Sequence, residues 1–163
     1  MSSERLLHFH ASPWWAEHVH RYREVLSVLT GVERVLDLAC GTGYGTAVLA
    51  ERAAEVIGGD VDVEAIESID SSFRENPKVR FEVMDGTKLP FSDARFDVVV
   101  SFETIEHTRD YEAMLDEFRR VLKPGGLFFC FITQQAGPKP RWHHKQPISY
   151  AGVYPRRIQG TFR

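Results

Sequence analysis

The sequence contains no run of 18 apolar residues, so no helix spanning a bilayer and no membrane partner is expected. Its opening stretch, MSSERLLHFHASPWW, lacks the long apolar core of a secretory signal. There are two cysteines, Cys40 and Cys130, and neither has metal-ligand spacing. A disulfide framework and a structural metal site are therefore not expected, and a reducing, cytoplasmic setting fits best. No internal repeat is visible. Acidic residues are missing altogether from Gln134–Arg163, which carries Lys139, Arg141, Lys145, Arg156, Arg157 and Arg163. All 23 acidic residues fall before it. An acidic body of this kind argues against broad nucleic-acid affinity, and the basic tail reads as solvated or docked on the body, with phosphate binding as the alternative.

What is present suits one soluble α/β domain. The chain has 163 residues, 43% hydrophobic and 26% charged, enough for a sizeable core. The organising stretch is Val35–Gly45, VLDLACGTGYG. Val35, Leu36 and Leu38 form a short apolar run, as a buried strand does. Asp37 lies near its end. Gly41, Gly43 and Gly45 then allow a tight turn and a close approach of backbone to ligand. Ala47–Ala53 reads as a helix. A strand, a glycine loop and a helix start together suit a nucleotide-like ligand. The dinucleotide fingerprint fails, because Thr46 stands where its third glycine belongs, and no Lys-Ser/Thr pair makes a P-loop. Asp37 favours a ligand with a cationic group.

Four more strands alternate with helices. Ser12-Pro13 can start a helix in which Trp15, Val19, Tyr22, Leu26 and Leu29 recur at helical spacing. Its polar residues include His18, His20, Tyr22 and Arg23. Glu55–Asp60 is a second strand, with Asp60 19 residues after Gly41. An acidic residue there can hold two ribose hydroxyls, or it can cap the helix beginning near Val63. Asp62 is the second candidate, and Val61 lies between them. That helix shows Ile66, Ile69 and Phe73 on one face and stops at Asn76-Pro77. Val79–Met84 is a third strand, followed by Asp85-Gly86. Phe96–Ser101 is a fourth. After it, FETIEH brings Phe102, Glu103, Glu106 and His107 to a strand's C-terminal end, where open α/β sheets bind ligands. Asp110–Leu122 is an amphipathic helix, Lys123–Gly126 a turn, and Leu127–Ile132 a fifth strand.

The run DLACGTG resembles motif I of the class I S-adenosylmethionine-dependent methyltransferases, D-x-G-x-G-x-G, with Ala39 at its first glycine. LPF, FDVVVS, EH and LKPGG resemble the small-molecule members of that family. The match covers about residues 33–133. The resemblance implies a Rossmann-like doubly wound sheet of five parallel strands in the order 3-2-1-4-5, behind an N-terminal helix that can cover the cofactor, which makes His18, His20, Tyr22 and Arg23 candidates to touch ligand or substrate. It implies an S-adenosylmethionine domain over residues 1–133, with a basic, irregular tail over residues 134–163. It assigns the cofactor to Asp37, Ala39, Gly41, Gly43, Asp60, Val61, Asp85, Gly86 and Phe102: Asp37 toward the ammonium group, Asp60 toward the ribose and Asp85 toward the adenine amino group. The expected reaction is methyl transfer to an oxygen, nitrogen or carbon nucleophile of a small molecule. His107 is the candidate base, since its ordinary pKa is near about 6.5.

The tail departs from the pattern. The family continues with a helix and two further strands, whereas Gln134–Arg163 holds four prolines, three glycines and no strand or helix signal. The chain therefore reads as a C-terminally shortened domain. Its apolar fifth strand is expected to be covered by the tail or to pair with a second copy. The alternative function is a catalytically incomplete cofactor-binding module acting beside a partner subunit. A nucleotide-dependent oxidoreductase is disfavoured by Asp37 and the missing glycine.

Overall fold

The computed structural model describes residues 13–131 and 149–150, with side chains for residues 18–131. The proposed cap Ser12, the Trp15 side chain, and Trp142, Tyr154 and Phe162 of the tail lie outside the described residues. Helix α1 (Pro13–Val28) leads to β1 (Arg34–Leu38), α2 (Tyr44–Leu49) and β2 (Glu55–Asp60). Helices α3 (Val63–Ser68) and α4 (Ser71–Arg74) precede β3 (Val79–Val83). Strand β4 (Phe96–Phe102) passes through a 3-10 turn (Ile105–His107) to α5 (Tyr111–Val121) and β5 (Leu122–Phe131).

The five long strands are parallel and lie in the order 3-2-1-4-5, as the resemblance implies. A two-residue strand, β6 (Ser149–Tyr150), extends the sheet from the segment read as irregular, pairing in parallel with Leu127 and Phe128. Neighbouring residues of each central strand point to opposite faces. Val98 and Val100 join Tyr22, Val25, Leu29, Val35 and Leu49 under α1 and α2. Val99 joins Leu36, Leu38, Met114, Leu115, Phe118 and Phe128 under α5. Complete burial of a side chain such as Phe118 contributes about 1.5–3 kcal/mol. Among the described residues no helix is long and apolar enough to cross a membrane.

Several boundaries differ from the sequence reading, and α2 ends at Leu49, four residues before the expected Ala53. Helix α2 begins at Tyr44, because left-handed Gly43 starts it directly from the loop. Gly45 is thus a helical residue. The helix expected over residues 63–75 breaks at Ile69-Asp70, where Asp70 accepts the Ser72 N–H and caps a new turn. The chain leaves α5 straight into β5 at Leu122, so Lys123–Gly126 is an irregular part of the strand, with Gly125 left-handed.

Candidate active site

Strand order reverses at β1, which has β2 on one side and β4 on the other. Such a switch point opens a crevice beyond the carboxyl ends of the strands. Leu38 is level with Gly59, and Asp60 with Val83. The segments after β1, β2 and β3 therefore reach the same edge. Asp37 is level with Val100, which brings the residues after Phe102 to that edge too.

The glycine loop is left-handed at Ala39 (φ 62°), Gly41 (φ 51°) and Gly43 (φ 76°). The Gly43 N–H closes its turn on the Cys40 carbonyl at 2.9 Å, and the Cys40 N–H bonds to the Gly59 carbonyl at 3.1 Å. A methyl group on Gly43 would lie 2.8 Å from the Phe81 ring, whereas one on Gly41 would meet nothing within 4 Å. Gly41 is therefore open toward the crevice, leaving space for a ligand against bare backbone.

Asp60 ties this loop to β2. One carboxylate oxygen accepts the Gly41 N–H at 2.9 Å, and the other accepts the Asp62 N–H at 3.0 Å. Capping of α3 falls to Asp62, which accepts the Glu64 and Ala65 N–H groups at 2.9 and 3.3 Å. That leaves Asp60 half-buried at the rim, beside Val61, whose side chain is 71% exposed. Asp85 is exposed and accepts the Thr87 N–H and hydroxyl, both at 2.8 Å. These bonds hold its carboxyl below the usual range. Gly86 beside it is buried, and a methyl group there would strike Leu38 and Met114. Behind this turn Arg120 bonds the Leu89 and Phe91 carbonyls and Asp93, while Glu117 accepts the Leu89 N–H.

Asp37 lies beneath the loop and is 1% exposed. Tyr22 donates to one oxygen at 3.1 Å and Thr46 to the other at 2.7 Å. Burial pushes its carboxyl up to about 7, against the two hydroxyl bonds, and the nearby charge of Asp60 adds to the rise. The sequence reading assigned no protein partners to this carboxylate.

Helix α1 covers the β1–β4 side. Of its four candidates, His18 and Tyr22 face inward, and His18 Nδ1 contacts the Tyr44 hydroxyl. His20 and Arg23 are exposed. Sequence reasoning missed Arg21, which is 2% exposed. Its guanidinium lies 3.4 Å from the centre of the Phe131 ring and donates to Glu103 at 2.8 Å. The inward positions 18, 21, 22 and 25 share one helical face, a pattern in which an arginine among apolar residues was the available signal. Phe102 is buried edge-on to Tyr22, with ring centres 5.1 Å apart. Its carbonyl accepts the Thr104 hydroxyl at 3.0 Å. His107 is exposed at the end of the 3-10 turn.

A crevice at the switch point, floored by a glycine loop and bordered by carboxylates after β2 and β3, defines an α/β domain for a nucleotide-like cofactor. Residues 36–130 match the family model described as a methyltransferase domain. A probable S-adenosylmethionine-dependent methyltransferase of Mycolicibacterium smegmatis is 36% identical over 71% of this chain and 43% of its own length. A demethylmenaquinone methyltransferase of Lactococcus lactis is 39% identical over 64% of this chain and 43% of its own. The solved PH0226 protein of Pyrococcus horikoshii is 33% identical, with a TM-score of 0.64 over 74% of this chain and 59% of that one. The chain belongs to the methyltransferase domain family, as a class I S-adenosylmethionine-dependent domain. It spans under half the length of these two curated relatives.

Proposed function

We propose that this chain is the cofactor-binding and catalytic domain of an S-adenosylmethionine-dependent methyltransferase acting on an oxygen, nitrogen or carbon nucleophile of a small molecule. The observation that carries this reading is Asp60, which bridges Gly41 and Asp62 across the β1–β2 crevice beside the open face of Gly41. The residues fit the cofactor: Gly41 leaves room for close approach, Asp60 and Asp85 supply acceptors for ribose and adenine, and Val61 and Phe102 supply apolar contact. Gly43 and Gly86 keep the walls tight, and Ala39 turns the chain at the strand end. When bound, the cofactor supplies a sulfonium methyl group open to displacement. The protein's task is alignment of nucleophile and methyl, which can contribute about 7–11 kcal/mol. Asp37, under the loop, gives this end of the crevice a negative charge when ionised. His107 is the group available to take a proton from the acceptor.

Calorimetric titration with S-adenosylhomocysteine and with NAD tests the reading. We expect micromolar binding of the first and none of the second; the reverse would assign the domain to redox chemistry. Turnover against a panel of small acceptors then tests catalysis. Among the described residues the outer edge of β5 pairs with the two residues of β6 alone, which supports self-association through that edge where it is left uncovered.

A further inference from the structure

The β4 side of the crevice holds a carboxylate, Glu103, to which the cofactor reading above gives no role. Among the described residues three non-glycines are left-handed: Ala39, Ala94 and Glu103. Ala39 and Glu103 directly follow β1 and β4, the two strands that meet at the switch point. A left-handed glutamate is strained, and such strain gathers at functional sites. Its backbone is held there by a 2.7 Å bond from the Glu103 N–H to the Phe131 carbonyl.

The side chain is held as firmly. One Glu103 oxygen accepts from Arg21 at 2.8 Å, and that guanidinium is buried against Phe131. The other oxygen accepts no hydrogen bond among the described residues, and the side chain is 34% exposed. A strained backbone and a buried cation thus fix a carboxylate with one oxygen open at the crevice. Such an oxygen accepts from N–H or O–H donors and repels anions. The rim residues Asp60, Asp62 and Asp85 are acidic as well.

We propose that Glu103 is the specificity-determining carboxylate of the methyl-acceptor subsite, presenting its open oxygen to the N–H of an amine-bearing acceptor, with Arg21 as its positioning residue. This rests on the methyltransferase reading above. It requires Glu103 to face the place where methyl group and acceptor nitrogen meet.

Sinefungin probes that place without a known acceptor, because its protonated amine stands where the sulfonium methyl would be. S-adenosylhomocysteine has nothing there and shares the rest of the scaffold. Calorimetry on the full chain should give sinefungin about tenfold tighter binding than S-adenosylhomocysteine, the scale of one charge-assisted hydrogen bond. Glu103→Gln should bring the two ligands to parity and leave S-adenosylhomocysteine within about twofold of its original affinity. Arg21→Met should reduce the preference, and Arg21→Lys should retain more of it. An unchanged preference in Glu103→Gln, or none in the original chain, would overturn the assignment while leaving the methyltransferase reading intact. Loss of both ligands in Glu103→Gln would make Glu103 a structural residue only. Failure of the original chain to bind either ligand would overturn both readings.

Discussion

The Tyr22 ring lies so close to Gly45 that a methyl group on Gly45 would sit 2.0 Å from its Cζ. From that position the phenol reaches Asp37 at 3.1 Å. Gly45 thus permits the crossing of α1 over α2, and the crossing brings a donor to a buried carboxylate. Gly45→Ala should force Tyr22 aside and cost about 1–3 kcal/mol, as overpacking does. Tyr22→Phe should cost about 1 kcal/mol through the lost hydrogen bond. Because the two residues touch, a Gly45→Ala/Tyr22→Ala double variant should lose less than the sum of its single changes. Urea unfolding of the set checks this, and strict additivity would refute the coupling.

Asp37 should make stability depend on pH. Its folded carboxyl titrates near 7 because of burial, well above the value of about 3.9 in an unfolded chain. Between these values the folded state binds more protons, so this residue's contribution falls as pH rises from about 4 to 7. Above that window its cost is fully present. Asp37→Asn removes the titration. Relative to the original chain, the variant should gain stability as pH rises from about 4 to about 7 and level off above that. Parallel curves of urea midpoint against pH for the two proteins would contradict the buried-carboxylate assignment.

Asp60 and Asp62 are close in sequence but differ in role. Asp60→Ala removes an acceptor and releases the Gly41 N–H, so S-adenosylhomocysteine binding should weaken by roughly 1.5–3 kcal/mol. Asp62→Ala removes the α3 cap and should cost about 1 kcal/mol of stability with little effect on binding. Calorimetry and urea unfolding on both variants separate the roles. Equal loss of affinity would show that the cap, too, shapes the site.

The period-two and period-3.6 patterns carried the core, because burial acts on each face of each element. Val98, Val99 and Val100 alternate between two packed faces, and the stripe over residues 111–122 packs as one. Local chemistry decided the boundaries instead. Asp70 offered a second cap inside one hydrophobic pattern, and left-handed Gly43 began α2 three residues early. The loop residues along the crevice were legible because their spacing after three strands is local to the chain. The Tyr22–Asp37 and Arg21–Glu103 pairs were not. Each joins α1 to a distant strand end, a separation of 15 residues in one case and 82 in the other, and no local pattern encodes it.

Gly41 is where a ligand-holding loop can be told from one that merely turns. A methyl group there meets no protein atom within 4 Å, so the open space is available to a ligand. Gly41→Ala should already weaken S-adenosylhomocysteine binding, and Gly41→Val should abolish it. Both changes place a side chain at a φ of 51°, which favours glycine, so a stability loss of about 1 kcal/mol should accompany them. Circular dichroism and calorimetry on the same samples distinguish the effects. Retention of normal affinity by a folded Gly41→Val would reduce the loop to a turn.

The outer edge of β5 gives the last prediction. Phe128, Phe129 and Cys130 are buried, yet among the described residues β5 pairs on its outer side only at Leu127 and Phe128, with β6. A strand edge left partly open can pair with another chain. The β6 pairing protects the first half of the apolar run and leaves Phe129–Phe131 outside that ladder. Amide exchange over Leu127–Phe128 should therefore be slower in the full chain than after removal of residues 137–163. That removal should also raise the sedimentation coefficient, as an uncovered edge joins a second copy; most soluble oligomers are closed and symmetric. A shortened chain that stays monomeric with unchanged exchange would mean that β6 neither covers the edge nor prevents association.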